Sequence, residues 1–213
     1  MFVTFEGIEG AGKSTIARLV AAGLAALGHD VVLTREPGDN SLGRSLRPIL
    51  LDARNACLCS GAELHLFLAD RAQHLAEVIR PALEAEQIVL CDRYSDSTIA
   101  YQGYGRGHDV ERLVLLNSLA TDGLEPDLTI LLDLPVQNGL KRAGNRNHEE
   151  GTEISEGRFD SESLKFHERV RMGYLAIARA NPERFAIISA LPEPGEVAKA
   201  CLAAIVERHG LKE

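Results

Sequence analysis

Gly7, Ile8, Glu9, Gly10, Ala11, Gly12, Lys13 and Ser14 carry the spacing G-x-x-x-x-G-K-S, and Thr15 follows. Glycines so placed let consecutive backbone N–H groups turn inward on a phosphate chain, while the lysine reaches the terminal phosphates and the serine hydroxyl serves Mg²⁺. The segment is therefore a phosphate-binding loop, and its ligand is a nucleoside triphosphate. Asp92 closes the apolar run Ile88-Val89-Leu90-Cys91, the place for an acid that holds Mg²⁺ beside that loop. Taken alone, an aspartate there suits a turn or helix cap equally well. Arg93 next to it favours an anion site, because a guanidinium fork grips a phosphate in two places. Arg35, just ahead of the turn forced by Pro37-Gly38, suits either a second phosphate or a pairing with Glu36. Phe67 and Arg71 stand four apart on one helix face, a ring and a cation suited to a flat polar base, although core packing is the commoner fate of such a Phe. Glu63, Asp70 and Glu77 read as solvated or ion-paired.

Such groups act together only if a scaffold gathers them at one edge. Short apolar runs at 2–6, 31–34, 88–91, 128–132 and 185–188 alternate with helical patterns at 13–27, 42–52, 61–86, 95–102, 109–121, 136–143, 160–181 and 194–208. That rhythm predicts an α/β fold, a five-stranded parallel sheet flanked by helices. Right-handed crossovers bring the carboxyl ends of all the strands to one edge, where ligands bind. Pro81 is expected to kink or divide the third helical pattern. Residues 143–157, polar and acidic through Glu149, Glu150, Glu153 and Glu156, read as a mobile lid or as an insertion without function. Arg142, Arg146 and Arg158 around that stretch favour a lid closing on phosphates.

No Pro/Gly/Ser-rich stretch divides the 213 residues, 45% of them hydrophobic, so one domain spanning 1–213 is expected. No apolar run approaches the ~20 residues of a membrane span. The loop motif begins at Gly7 with no space for a leader, and Cys57, Cys59, Cys91 and Cys201 lack paired metal-binding spacing. A cytoplasmic chain with reduced, structural cysteines is expected. The net charge of −8 argues against a general nucleic-acid binder.

Further segments join these: Phe5 through Thr15, Thr34-Arg35-Glu36-Pro37-Gly38, Phe67-Leu68-Ala69-Asp70-Arg71, Asp92-Arg93-Tyr94, Ser97-Thr98-Ile99-Ala100-Tyr101-Gln102-Gly103, Arg158-Phe159-Asp160-Ser161-Glu162 and Phe166-His167-Glu168-Arg169-Val170-Arg171. Together they resemble the thymidylate kinases of the nucleoside-monophosphate kinase group, nearly end to end. The resemblance implies a P-loop NTPase fold and phosphoryl transfer from MgATP to dTMP. It implies ATP contacts from residues 7–15 and Arg142, Mg²⁺ held by Ser14 and Asp92, and catalytic cations Lys13, Arg93, Arg146 and Arg158. It implies dTMP contacts from Glu9, Arg35, Phe67, Arg71, Arg93, Ser97, Tyr101 and Gln102: Phe67 stacks on thymine, Arg71 bonds the base, and Tyr101 crowds out a 2′-hydroxyl. A homodimer is the family expectation, in keeping with the surplus of apolar residues in the patterns at 42–52, 61–86 and 109–121.

The chain departs from the resemblance in three places. Ile8, Glu9, Gly10 and Ala11 include no arginine, as in the bacterial type whose mobile cation comes from a basic lid. Asp39-Asn40 stands where Gly-Thr is usual, and the lid is longer and more acidic. A related kinase acting on another nucleotide or nucleoside is the rival reading; Phe67, Arg71, Tyr101 and Gln102 fit a pyrimidine monophosphate, and Arg93 with Arg35 suits an acceptor that already bears a phosphate. A nucleotide-driven switch would need a motif such as N-K-x-D, which is missing.

Overall fold

The computed structural model describes residues 1–152 and 154–210, with the backbone alone for His209. Glu153, one of the lid acids named above, lies outside the described residues. Alternating apolar and helical segments fold as β1 (Phe2–Glu6), α1 (Lys13–Ala26), β2 (Val31–Arg35), α2 (Gly43–Leu51), α3 (Ser60–His74), α4 (Arg80–Glu84) and β3 (Ile88–Asp92). They continue as α5 (Ser95–Thr98), α6 (Val110–Ala120), β4 (Leu128–Asp133), α7 (Val136–Glu150), α8 (Leu164–Ala180), β5 (Phe185–Ser189) and α9 (Pro194–His209). The five strands are parallel throughout, in the order β2-β3-β1-β4-β5.

β1 lies between β3 and β4, with Phe5 beside Asp92 and Glu6 beside Leu131, so the loop after β1 emerges where the strand order reverses. That crevice outside the strand ends is the place for a ligand in a doubly wound sheet. The three central strands are buried between helices: Val3, Phe5, Leu90, Leu128 and Ile130 are sealed from water, whereas Leu33 on β2 and Ile187 on β5 are exposed. Each sealed side chain contributes on the order of 1.5–3 kcal/mol. On α1 the helical period buries Ile16, Ala17, Val20 and Leu24 but leaves Leu19 exposed.

Every strand from β2 to β5 runs one residue beyond its apolar run, because the ladder carries on into polar residues; Arg35 pairs with Asp92 and Asp133 with Ser189. The pattern at 61–86 is interrupted not at Pro81 but just ahead of it, where Leu75–Ile79 widens into a π-type turn. Pro81 sits in the first turn of α4, where its missing N–H does no harm, and the wider turn relieves the clash with the carbonyl upstream. Helix α5 likewise continues as a π-type segment, Ile99–Gly105.

The largest difference from expectation is in the lid stretch. Helix α7 does not stop at 143 but runs through Glu150 to a left-handed Gly151, and α8 starts at Leu164 under the Ser163 cap rather than at 160. Half of the expected lid is thus helix. Its low apolar content hid the continuation, since a helix projecting past the sheet has only a narrow face to bury. Cys91 and Cys201 are buried, whereas Cys57 and Cys59 are exposed and so are not structural. Among the described residues, no helix is long and apolar enough to cross a membrane.

Candidate active site

A cleft of about 760 Å³ opens at the carboxyl edge of the sheet, between the loop after β1 and the lid. Its floor is the loop itself. Gly7 has φ +144°, and a Cβ there would lie 2.6 Å from the Leu132 carbonyl oxygen, so only glycine lets the chain leave β1 at this angle. Lys13 lies buried along the loop, with Nζ donating to the carbonyls of Gly7 at 3.0 Å and Ile8 at 2.9 Å. Burial lowers its pKa to about 8, with the nearby Arg93 charge adding to the effect. The Ser14 hydroxyl donates to Asp92 Oδ2. Asp92 Oδ1 is buried with no hydrogen-bond partner among the described residues. A hydroxyl and a carboxylate with a spare oxygen are the donor set of a hard divalent cation, so this pair fits Mg²⁺.

Arg93 forms the wall between the two halves of the cleft. Its φ is +72°, a left-handed conformation that turns the side chain back over the loop. One terminal nitrogen donates to Gly7 O at 3.3 Å, Ser97 Oγ at 3.4 Å and Tyr174 Oη at 3.4 Å, and the other to Glu9 Oε1 at 3.2 Å. The guanidinium also covers the Tyr101 ring, 4.9 Å from its centre. Glu9 Oε1 accepts the Tyr101 hydroxyl at 2.6 Å, and Oε2 lies 3.3 Å from His167 Nδ1. Burial alone would raise the Glu9 pKa, but the His167 ring and the Arg93 and Lys13 charges hold it well below the usual carboxylate range. Beneath them Glu6 accepts from Tyr94 N, the Ser97 hydroxyl and the Tyr174 hydroxyl, at 2.7, 2.6 and 2.8 Å. Burial, followed by repulsion from Asp96, pushes Glu6 up to about 7.

The other half of the cleft is aromatic. Phe67 faces Phe159 at 6.1 Å with a 49° tilt, and Tyr101 meets Phe159 edge-on at 5.5 Å. Arg71 lines this half but is almost wholly buried; four of its donors are spent on Glu36, Thr98, Asn117 and the Tyr94 carbonyl. Only one N–H remains to reach a ligand. Gln102 donates to Glu63 Oε1 at 2.8 Å. Glu63 is itself buried between Arg106 and Arg158, and Asp70 is buried against Asn40, so neither is on a solvated face. Arg35 lines the cleft but pairs with Asp39 rather than Glu36.

The expected lid cations separate. Arg146 lines the cleft, and its neighbour Asn147 holds Asp160 at 2.6 Å. Arg142 also lines the cleft and ties α7 to the carbonyls of Ala190 and Leu191. Arg158 does not line the cleft: it is buried, its Nε donates to Leu50 O, and it pairs with Glu63 at 2.8 Å. The catalytic role expected of Arg158 is thus at odds with this arrangement, because a buried carboxylate 95 positions earlier in the chain has captured the guanidinium.

Phe159, Asp160 and His167 stood in the segments that carried the resemblance but had no role assigned. Gly139 was missed as well. A Cβ on it would lie 2.5 Å from Glu9 O, and one on Gly10 would lie 2.0 Å from Gly139 O, so α7 and the loop touch backbone to backbone. No local signal marks it, since Gly144 on the same helix meets nothing within 4 Å.

Comparison with known proteins points one way. A family model described as thymidylate kinase matches residues 5–201. The thymidylate kinase of Desulfovibrio desulfuricans is 67% identical over 205 residues, covering 96% of this chain and 94% of that protein. That of Solidesulfovibrio magneticus is 58% identical over 200 residues, covering 94% and 96%. The crystal structure of thymidylate kinase from Ehrlichia chaffeensis matches with a TM-score of 0.75 and 36% identity, over 96% of this chain and 98% of that one.

Proposed function

The chain belongs to the thymidylate kinase family and has its P-loop NTPase fold and its activity, phosphorylation of dTMP to dTDP with ATP in dTTP synthesis, and from that premise we propose how its residues divide the work. Residues 7–15 hold the ATP phosphates, and Arg142 closes the donor end. Ser14 and Asp92 would hold Mg²⁺, which would supply positive charge to the phosphates in transfer. Phe67 and Phe159 take the thymine, Arg71 and Gln102 its polar edge, Tyr101 and Glu9 the sugar, and Arg93 with Ser97 and Arg35 the phosphate.

Arg93 carries this reading. It is bonded to the phosphate loop on one side and stacked on Tyr101 of the aromatic half on the other, so two nucleotides meet end to end across it. The acceptor oxygen is already an anion, so no general base is needed; the protein aligns the two phosphates and matches the charge that moves between them. Lys13 and Arg93 do so from the floor. Arg146 does so from a lid over residues 143–157, with Arg158 as the lid's anchor. An acceptor panel with ATP tests the assignment: dTMP is expected to turn over fastest, and faster turnover of dCMP or thymidine would reject it.

We further read the whole chain as one kinase domain working in the cytoplasm without nucleic acid, and as a homodimer. Support for the dimer is the outward row on α6, where Leu115 is 66% and Leu119 79% exposed. Sedimentation at micromolar concentration checks it, a monomer being the contrary result.

A further inference from the structure

The cleft keeps two of its arginines neutralised by the chain's own carboxylates. Arg35 Nε lies 3.1 Å from Asp39 Oδ1, with the side chains 48% and 37% exposed. Arg47, on α2, donates one terminal nitrogen to Pro37 O at 2.8 Å. Its Nε and other terminal nitrogen both donate to Glu156 Oε1, at 3.1 and 3.0 Å. Arg47 lies so close to the turn that a Cβ on Gly38 would meet its Cδ at 3.0 Å. Both arginines line the cleft with Arg93, and so does Glu156. The two carboxylates fall at two of the three departures from the resembled pattern, the Asp39-Asn40 turn and the acidic lid.

We propose that Asp39 and Glu156 are internal counter-ions that hold the place of the acceptor's dianionic phosphate on Arg35 and Arg47; the inference rests on the reading that this phosphate binds beside Arg35 and Arg93. A dianion at that spot outcompetes two single carboxylates held in half-exposed pairs, whereas a monoanion or an uncharged nucleoside does not. The pairs therefore favour a phosphate monoester over singly charged acceptors. Glu156 lies in the segment seated on the end of α2 and the turn after it, where Ala53 N donates to Ile154 O and Arg158 N to Leu51 O. Its displacement from Arg47 loosens one tie of the lid at the moment the acceptor arrives.

Steady-state kinetics with dTMP as the varied substrate test this. Asp39→Asn and Glu156→Gln are each expected to lower the KM for dTMP about threefold, with kcat unchanged, the size set by half-exposed pairs. The gains shrink in high salt. In an Arg47→Gln background, Glu156→Gln adds nothing. Glu149→Gln, which removes an exposed charge from α7, leaves KM where it was. Absence of either shift, or an equal shift from Glu149→Gln, overturns the role of that carboxylate. Arg35→Gln keeps the two questions apart: a raised KM for dTMP supports the acceptor site whatever Asp39 does, and an unchanged KM rejects that reading itself.

Discussion

The floor of the cleft and its rim are built differently. On the floor, Lys13 bonds carbonyls only five and six positions away, and the left-handed Arg93 is fixed by the end of β3; backbone geometry sets where each charge stands. On the rim, the charges are set by long side chains that meet across the sequence, Arg47 with Glu156 and Arg158 with Glu63. A charge fixed by backbone is preorganised and needs no rearrangement when the phosphoryl group moves. A charge held by another side chain can be released, which suits binding and closure. The floor is therefore where loss of a residue should strike the chemical step, and the rim where it should strike binding, lid position or stability.

The hardest test of that contrast is Arg93→Ala. Removing a preorganised cation that touches both halves of the site should lower kcat/KM for dTMP by about 10³-fold or more, mostly in kcat. Steady-state rates read it, and a loss confined to KM would move Arg93 from the floor's group to the rim's. Glu6 gives the floor a pH signature. Its folded pKa of about 7 lies above the 4.5 of a free glutamate, so the folded state keeps a proton that the unfolded state releases. That contribution is whole below pH 4.5 and is lost as the pH rises through about 7, an amount near 3 kcal/mol at 1.36 kcal/mol per unit. Asp70, pushed up to about 6 by burial and the Glu36 charge, acts in the same direction. Denaturant titrations of the parent and Glu6→Gln at pH 5 and pH 7.5 isolate the Glu6 part: the variant should lose less stability between the two, and equal losses would remove Glu6 from the account.

On the rim, Arg146→Ala and Arg158→Ala should part company. Arg146 lines the cleft, so its loss should lower kcat about 10²-fold with little change in melting temperature. Arg158 is buried on Glu63, which keeps Arg106 when Arg158 goes. Its removal should cost about 2 kcal/mol of stability, below the range for an entirely abandoned buried charge. Thermal melts and kcat on the same two preparations decide; unchanged kcat in both would reject the basic lid.

The same division explains what could be read from residues alone. The five parallel strands, the loop and the Asp92-Arg93 pair were legible because apolar runs, glycine spacing and strand ends are local signals, whereas the order β2-β3-β1-β4-β5 needed the fold. The partners of Arg158, Arg35 and Gln102 were not, since Glu63 and Asp39 are common acids whose pairing depends on where the turn after β2, α3 and the lid come to rest. In the sequence Asp39 stands out only as a departure from the usual Gly-Thr, and its pairing with Arg35 follows from the shape of the turn. The extension of α7 was hidden for a related reason: with few apolar residues past 143, nothing local separates an exposed helix from a polar loop.

The smallest expected effect lies on the seam between the two regions, where α7 crosses the phosphate loop. Gly139 is an ordinary helical residue with no left-handed φ to protect, so Gly139→Ala should gain helix propensity, worth somewhat under about 1 kcal/mol. Against that, the new methyl would stand 2.5 Å from Glu9 O and 2.9 Å from an Ile8 side-chain carbon, and carbonyl backbone cannot swing aside as a side chain can. Overpacking of this kind costs about 1–3 kcal/mol, so the net change should be a loss of about 1 kcal/mol. Because the displaced atoms belong to the loop, the KM for ATP should rise while the KM for dTMP stays near its parent value. Gly144, five positions further along α7 with open space around it, is the internal control: Gly144→Ala keeps the propensity gain without the clash and should stabilise. If both alanines stabilise alike, α7 is free of the loop, and the lid's motion is not registered against the floor.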